Sequence, residues 1–193
     1  DTMGSSPDWR HFSAAYKHQM GWLSDAQVEL VSASGEYALR PLEGDDPHAL
    51  RVSLGVFEEE KNGIVVSSEH FYFLEVREVL EVDEDDAENQ AGNPGRPDIM
   101  SGALNGVIIN RVVPNEQHGY PKWSATAHDA TPDTPTASSS DFQLPEGRTF
   151  SDAESGVHIT ALSVTDEATT VRIEFNSEQS TAPVINSVEA IPS

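Results

Sequence analysis

Phe71-Tyr72-Phe73-Leu74-Glu75-Val76-Arg77 is the stretch on which the fold turns. Four aromatic or apolar residues in succession leave neither face of a strand polar, which predicts a central strand that is well covered. Further along, Glu75 and Arg77 stand two apart and share a face, where they can pair with each other or with neighbours.

Strand-like periodicity spreads outward from this stretch. Upstream, Val28 and Leu30, then Tyr37 and Leu39, alternate on either side of the turn-forming Ser34-Gly35 and predict a hairpin with these residues facing the core. A third strand is expected at 49–54. Downstream, strands are expected at 106–113, 157–164 and 170–175, with weaker candidates at 63–67 and 184–190. Short strands divided by glycine and proline predict a mainly β fold, an antiparallel β-sandwich of about eight strands.

One N-terminal helix precedes it. Ser6-Pro7-Asp8 offers a cap, a proline for the first turn and an acid, and Ser13 is a second possible cap. Phe12, Tyr16, Met20 and Leu23 recur at helical spacing and predict a buried stripe. Residues 81–97 are acidic, then rich in Gly, Asn and Pro, and 114–145 are dominated by Pro, Ser, Thr, Asp and Ala. Both are expected to be long loops, which are usually functional or mobile.

Acidic residues number 33 against 11 basic ones, for a net charge of −22, and only three of the basic residues are lysines, Lys17, Lys61 and Lys122. Such a surface repels phosphate and anionic lipid, so nucleic acid is excluded as a partner. It suits a folded protein working in high salt, where self-repulsion is screened, or an ordinary acidic secreted protein. No apolar run is long enough to span a membrane. The absence of cysteine removes disulfides and thiolate metal sites.

Asp1-Thr2-Met3-Gly4 looks like a methionine turn. Together with Ser13-Ala14-Ala15-Tyr16-Lys17-His18-Gln19-Met20-Gly21-Trp22-Leu23, Ser34-Gly35-Glu36-Tyr37-Ala38-Leu39-Arg40-Pro41-Leu42, the strand at Phe71, Gly106-Val107-Ile108-Ile109-Asn110-Arg111 and Gly147-Arg148-Thr149-Phe150-Ser151-Asp152, it resembles the gametolysin-like and immune-inhibitor-A-like secreted zinc peptidases of the metzincin type. The resemblance covers most of the chain. It implies that 1–24 are a remnant of a catalytic domain, its methionine turn (Asp1, Met3, Gly4) and last helix, and that 25–193 form an accessory sandwich. Phe12, Tyr16, Met20, Trp22 and Leu23 would then be the interface between helix and sandwich.

The zinc ligands of that family map onto nothing here. None of the seven histidines has another four residues away, so HExxH is absent. Under this reading the chain is the C-terminal portion of an extracellular, secreted zinc metallopeptidase. It has no catalytic residue of its own, its partners are an upstream catalytic domain and the parent's protein substrate, and zinc is bound in the parent. The alternative is an extracellular sandwich that binds carbohydrate or another surface through long loops, with Trp123 and Tyr120, flanked by His118 and His128, as candidate stacking residues. Asp83, Asp85 and Asp86 are candidate calcium ligands by their clustered oxygens, although Ala87 and Glu88 break the EF-hand pattern and a solvated acidic loop explains the run as well.

Overall fold

A computed structural model describes residues 12–61, 64–77, 106–114, 123–134, 142–165 and 167–176. Among them the chain forms one helix, α1 (Ala14–Gln19), a single 3-10 turn (Asp25–Gln27) and ten strands. These are β1 (Val28–Val31), β2 (Gly35–Leu39), β3 (Ala49–Lys61), β4 (Ile64–Glu75), β5 (Gly106–Pro114), β6 (Trp123–Ala127), β7 (Leu144–Pro145), β8 (Thr149–Asp152), β9 (Val157–Val164) and β10 (Thr169–Phe175). One sheet runs β1-β3-β4-β5-β6, with β7 pairing onto β5, and the other runs β2-β10-β9-β8. The architecture is the expected sandwich.

β4 is the strand expected from Phe71 onward, and the packing explains its composition. Tyr72 and Leu74 point into the core between the sheets, with Leu50, Val52, Ile109, Ile159, Val171 and Ile173. Phe71 and Phe73 point the other way, into a second core closed by Ala14, Ala15 and Leu23 of the helical segment. The first sheet is therefore covered on both faces. The second sheet is covered on one, and β9 and β10 show the resulting alternation of buried and more exposed positions.

The expected hairpin between the first two strands does not form. β1 pairs in parallel with β3, Val28 against Ala49, while β2 pairs antiparallel with β10 in the opposite sheet. Ser34-Gly35 is a corner between sheets, held where Ser34 Oγ accepts the Phe175 amide at 2.9 Å. Turn residues specify that the chain bends and leave open which strand it meets next. Leu30, expected in the core, is 58% exposed, because the buried positions of β1 are Val28 and Val31.

Two expected strands merge into one. The weak candidate at 63–67 and the Phe71 strand are both part of β4, which pairs along its length with β3. Gly55 takes φ +91° at the β-bulge in β3, a conformation that favours glycine. β6 and β7 lie within the segment expected to be loop. A methyl group on Gly106 would stand 2.6 Å from the Leu144 carbonyl oxygen, so β7 reaches β5 only because residue 106 lacks a side chain. The candidate strand at 184–190 and the possible helix start at Ser6 lie outside the described residues.

Candidate functional site: the helix junction and its cleft

Ser13 is the N-cap of α1. The helix ends in a Schellman motif: Gly21, at φ +75°, donates to the His18 carbonyl at 3.0 Å, and Trp22 donates to Lys17 at 2.8 Å. That reversal drops Leu23 into the second core, where it is 3% exposed. Of the other expected junction residues, Tyr16 is half-buried, and its hydroxyl accepts the Ala125 amide at 3.3 Å. Phe12 is half-buried, with its ring edge-on to Trp22 at 5.4 Å.

Met20 and Trp22 lie away from the sheet, 42% and 62% exposed. Their expected places are taken by Ala14 and Ala15, at 0% and 1%. Two alanines let the helix backbone approach the aromatic floor of Phe71 and Phe73. A stripe drawn through the largest apolar residues places Tyr16 and Leu23 against the sandwich, wrongly adds Met20 and misses Ala14 and Ala15.

A buried ionic network fastens the helix to the sandwich. One Glu75 carboxylate oxygen accepts the backbone amide of Ala14 in the first turn of α1. The other accepts Arg77 Nη2 at 2.7 Å and Nε at 3.0 Å. Arg77 also donates from Nη1 to Glu43 at 2.7 Å and from Nη2 to the Phe12 carbonyl at 2.9 Å. Lys17 reaches Glu43 at 3.3 Å from the helix side. Burial pulls the Arg77 guanidinium toward deprotonation, and the two carboxylates more than offset it, leaving its pKa above the ordinary arginine value. The pairing of Glu75 with Arg77 was legible from their spacing; Glu43 and Lys17 join across long stretches of chain and were not.

Beside this junction lies a solvent-open cleft of about 680 Å³. His18 of α1, Asp25 of the 3-10 turn, Glu29 and Leu30 of β1, and His48 and Arg51 beside and within β3 line it. His18 Nε2 lies 2.9 Å from Asp25. His48 Nδ1 donates to the Ala38 carbonyl at 2.8 Å, and its Nε2 lies 3.7 Å from Glu29. The Arg51 guanidinium lies over the Phe71 ring, 3.6 Å from its centroid. Arg51 was not singled out by sequence pattern, since an arginine on a strand carries no mark of what its side chain meets.

Trp123 is half-buried beside Phe71, Phe73 and His18, an anchoring role for the aromatic residue proposed to stack a sugar. His128 is on the other side of the first sheet, edge-on to Tyr72 at 5.5 Å and Phe150 at 5.8 Å. Tyr72 donates to Asp152 at 2.8 Å, and Ser155 donates to the same carboxylate oxygen. Tyr72 of β4 thus meets Asp152 of β8, so the hydrogen-bonded group anchors one sheet to the other.

This anchor carries a pH signature. Burial pushes Asp152 up, but hydrogen bonds from Ser155, Tyr72 and the backbone of Ser155 and Glu154 outweigh it, so its pKa lies below the ordinary 3.8. Burial first and Arg111 second pull His128 below its ordinary 6.5, against the opposing field of Asp152. Both folded-state pKa values are depressed, so each group contributes stability above its unfolded value that is lost as the pH falls toward its folded value. The stability advantage of the native chain over His128→Asn is therefore expected to shrink below about pH 6.5, and that over Asp152→Asn below about pH 3.8. Urea melts across that range check both, and an advantage that grows on acidification would contradict the assignment.

Asp1, Met3 and Gly4, the calcium candidates Asp83, Asp85 and Asp86, and His118 and Tyr120 all lie outside the described residues. Among the described residues no three His, Asp or Glu side chains are grouped to hold a metal ion, and no helix is long and apolar enough to cross a membrane. The chain matches no family model, no curated protein and no solved structure.

Proposed function

We propose that the chain is the C-terminal portion of a secreted zinc metallopeptidase, in which a β-sandwich is held in fixed orientation to the catalytic domain by α1. The observation that carries this reading is the Glu75–Arg77–Glu43–Lys17 network, which ties the first turn of the helix to the sandwich through buried charge. A helix that only covered a sheet would be served by apolar contact, whereas a network of several directed bonds sets its angle. The ordered motifs from Asp1 to Asp152 support the same origin.

Among the described residues no side chains are grouped as a zinc site, and the chain holds no HExxH. Its contribution would be positioning, and peptide hydrolysis would belong to the upstream domain. A net charge of −22 fits secretion into a saline medium, where the charge keeps the protein soluble and salt screens its self-repulsion.

The test is the parent reading frame, expressed whole. A HExxH motif upstream of Asp1, zinc bound by the whole protein and peptidase activity that this chain alone lacks are the expected results. A native frame without that motif would refute the proposal. A binding module is a second reading, favoured by the open cleft at the junction.

A further inference from the structure

The geometry points to the cleft between α1 and β1 as a binding site for a small ligand bearing a carboxylate flanked by hydrogen-bond donors, with Arg51 as the group that receives the carboxylate. The inference does not depend on the peptidase origin.

Its starting point is a charge left over. In a chain with three acidic residues for each basic one, Lys17, Arg40, Arg77, Arg148 and Arg172 each hold a carboxylate. Among the described residues Arg51 and Arg111 form no ion pair, and of these two only Arg51 lines the cleft, where Glu69 and Asp25 act on it from beyond ion-pair distance. Its Nε is buried without a hydrogen-bond partner, an arrangement that costs stability unless something is bound there. Stacking on Phe71, with Trp123 beyond at 5.3 Å, fixes the plane of the guanidinium. A guanidinium fixed in plane is preorganised for the bidentate geometry of a carboxylate.

The rest of the cleft selects the remainder of the ligand. With Nδ1 donating to the Ala38 carbonyl, His48 places Nε2 beside Glu29, which is 45% exposed and presents a carboxylate. Asp25 presents another beside His18. Acceptors grouped near a single cation call for ligand donors next to the ligand's carboxylate, either hydroxyls as on a sugar acid or an amide N–H as at the C-terminus of a peptide. A neutral sugar would leave Arg51 unpaired, and a dianion would meet Glu29 and Asp25.

Titration of the intact chain with D-glucuronate, glycylglycine and D-glucose tests this, followed by calorimetry and by the NMR signal of the Arg51 Nε–H. Salt at roughly 1 M reduces the screening length to about 3 Å, which suppresses long-range repulsion by the acidic surface and leaves contacts intact. Binding of glucuronate or glycylglycine, none of glucose, and a shifted Arg51 signal are expected; which of the two binds tells hydroxyl from amide recognition. Arg51→Gln should weaken that binding about tenfold or more, and Arg148→Gln, on the other sheet, should leave it unchanged. Neither carboxylate binding, equal binding by folded Arg51→Gln, or an Arg51 signal unmoved at saturation would overturn the inference. The last readout uses the native chain and stands even if the variant fails to fold.

Discussion

Arg77→Met is expected to lower the stability of the fold by about 3–5 kcal/mol, the loss typical of breaking a buried ion pair on one side. The guanidinium satisfies Glu75 and Glu43, whose side chains are 2% and 3% exposed. Removing it takes that partner from both carboxylates, while Lys17 keeps its contact with Glu43 at 3.3 Å. Part of the cost should return in the double variant with Glu75→Gln, which removes one stranded charge but keeps an oxygen for the Ala14 amide. Urea unfolding of the native chain and the two variants gives the numbers. A loss below about 1 kcal/mol for Arg77→Met would place the network in the class of solvated surface pairs and remove the main support for a rigid junction.

Phe73→Ala is expected to cost about as much, roughly 3–5 kcal/mol, by another route. The side chain is fully buried beneath α1, with His18 and Trp123 at 6.1 and 6.2 Å between ring centroids. Truncation opens a cavity under the helix and leaves the core between the sheets, built on Tyr72 and Leu74, in place. The loss should therefore be accompanied by faster hydrogen exchange in 14–23 than in β9 and β10. Uniform acceleration across both sheets would mean that the second core is not a separate layer, and unchanged exchange in α1 would mean that the helix does not rest on Phe73.

The two substitutions separate what could be read in advance from what could not. Phe71 to Leu74 announced a strand covered on both faces because local composition registers burial whatever does the covering. β9 and β10 were legible for the same reason, since a half-buried strand alternates. β6 and β7 were missed because the Pro, Ser and Thr around them dominate the composition, and their pairing with β5 is a property of the partner strand. In the candidate site, Tyr16 and Leu23 were found by spacing. Ala14 and Ala15 were not, because small residues matter there for the close approach they permit. Arg51 carried no signal in sequence, since what distinguishes it is the Phe71 ring beneath it and its place in the cleft.

By itself the sequence determined the class of fold, the existence and type of the main elements, the shared face of Glu75 and Arg77 and the absence of HExxH, because each depends on residues near one another in the chain or on simple presence. Tertiary structure alone decided that Ser34-Gly35 joins two sheets, that alanines and not Met20 or Trp22 face the sandwich, and that His18, Glu29, His48 and Arg51 surround one cleft. Those outcomes depend on which distant segments pack together, and the free energy of that packing belongs to pairs of surfaces that no single stretch of sequence contains.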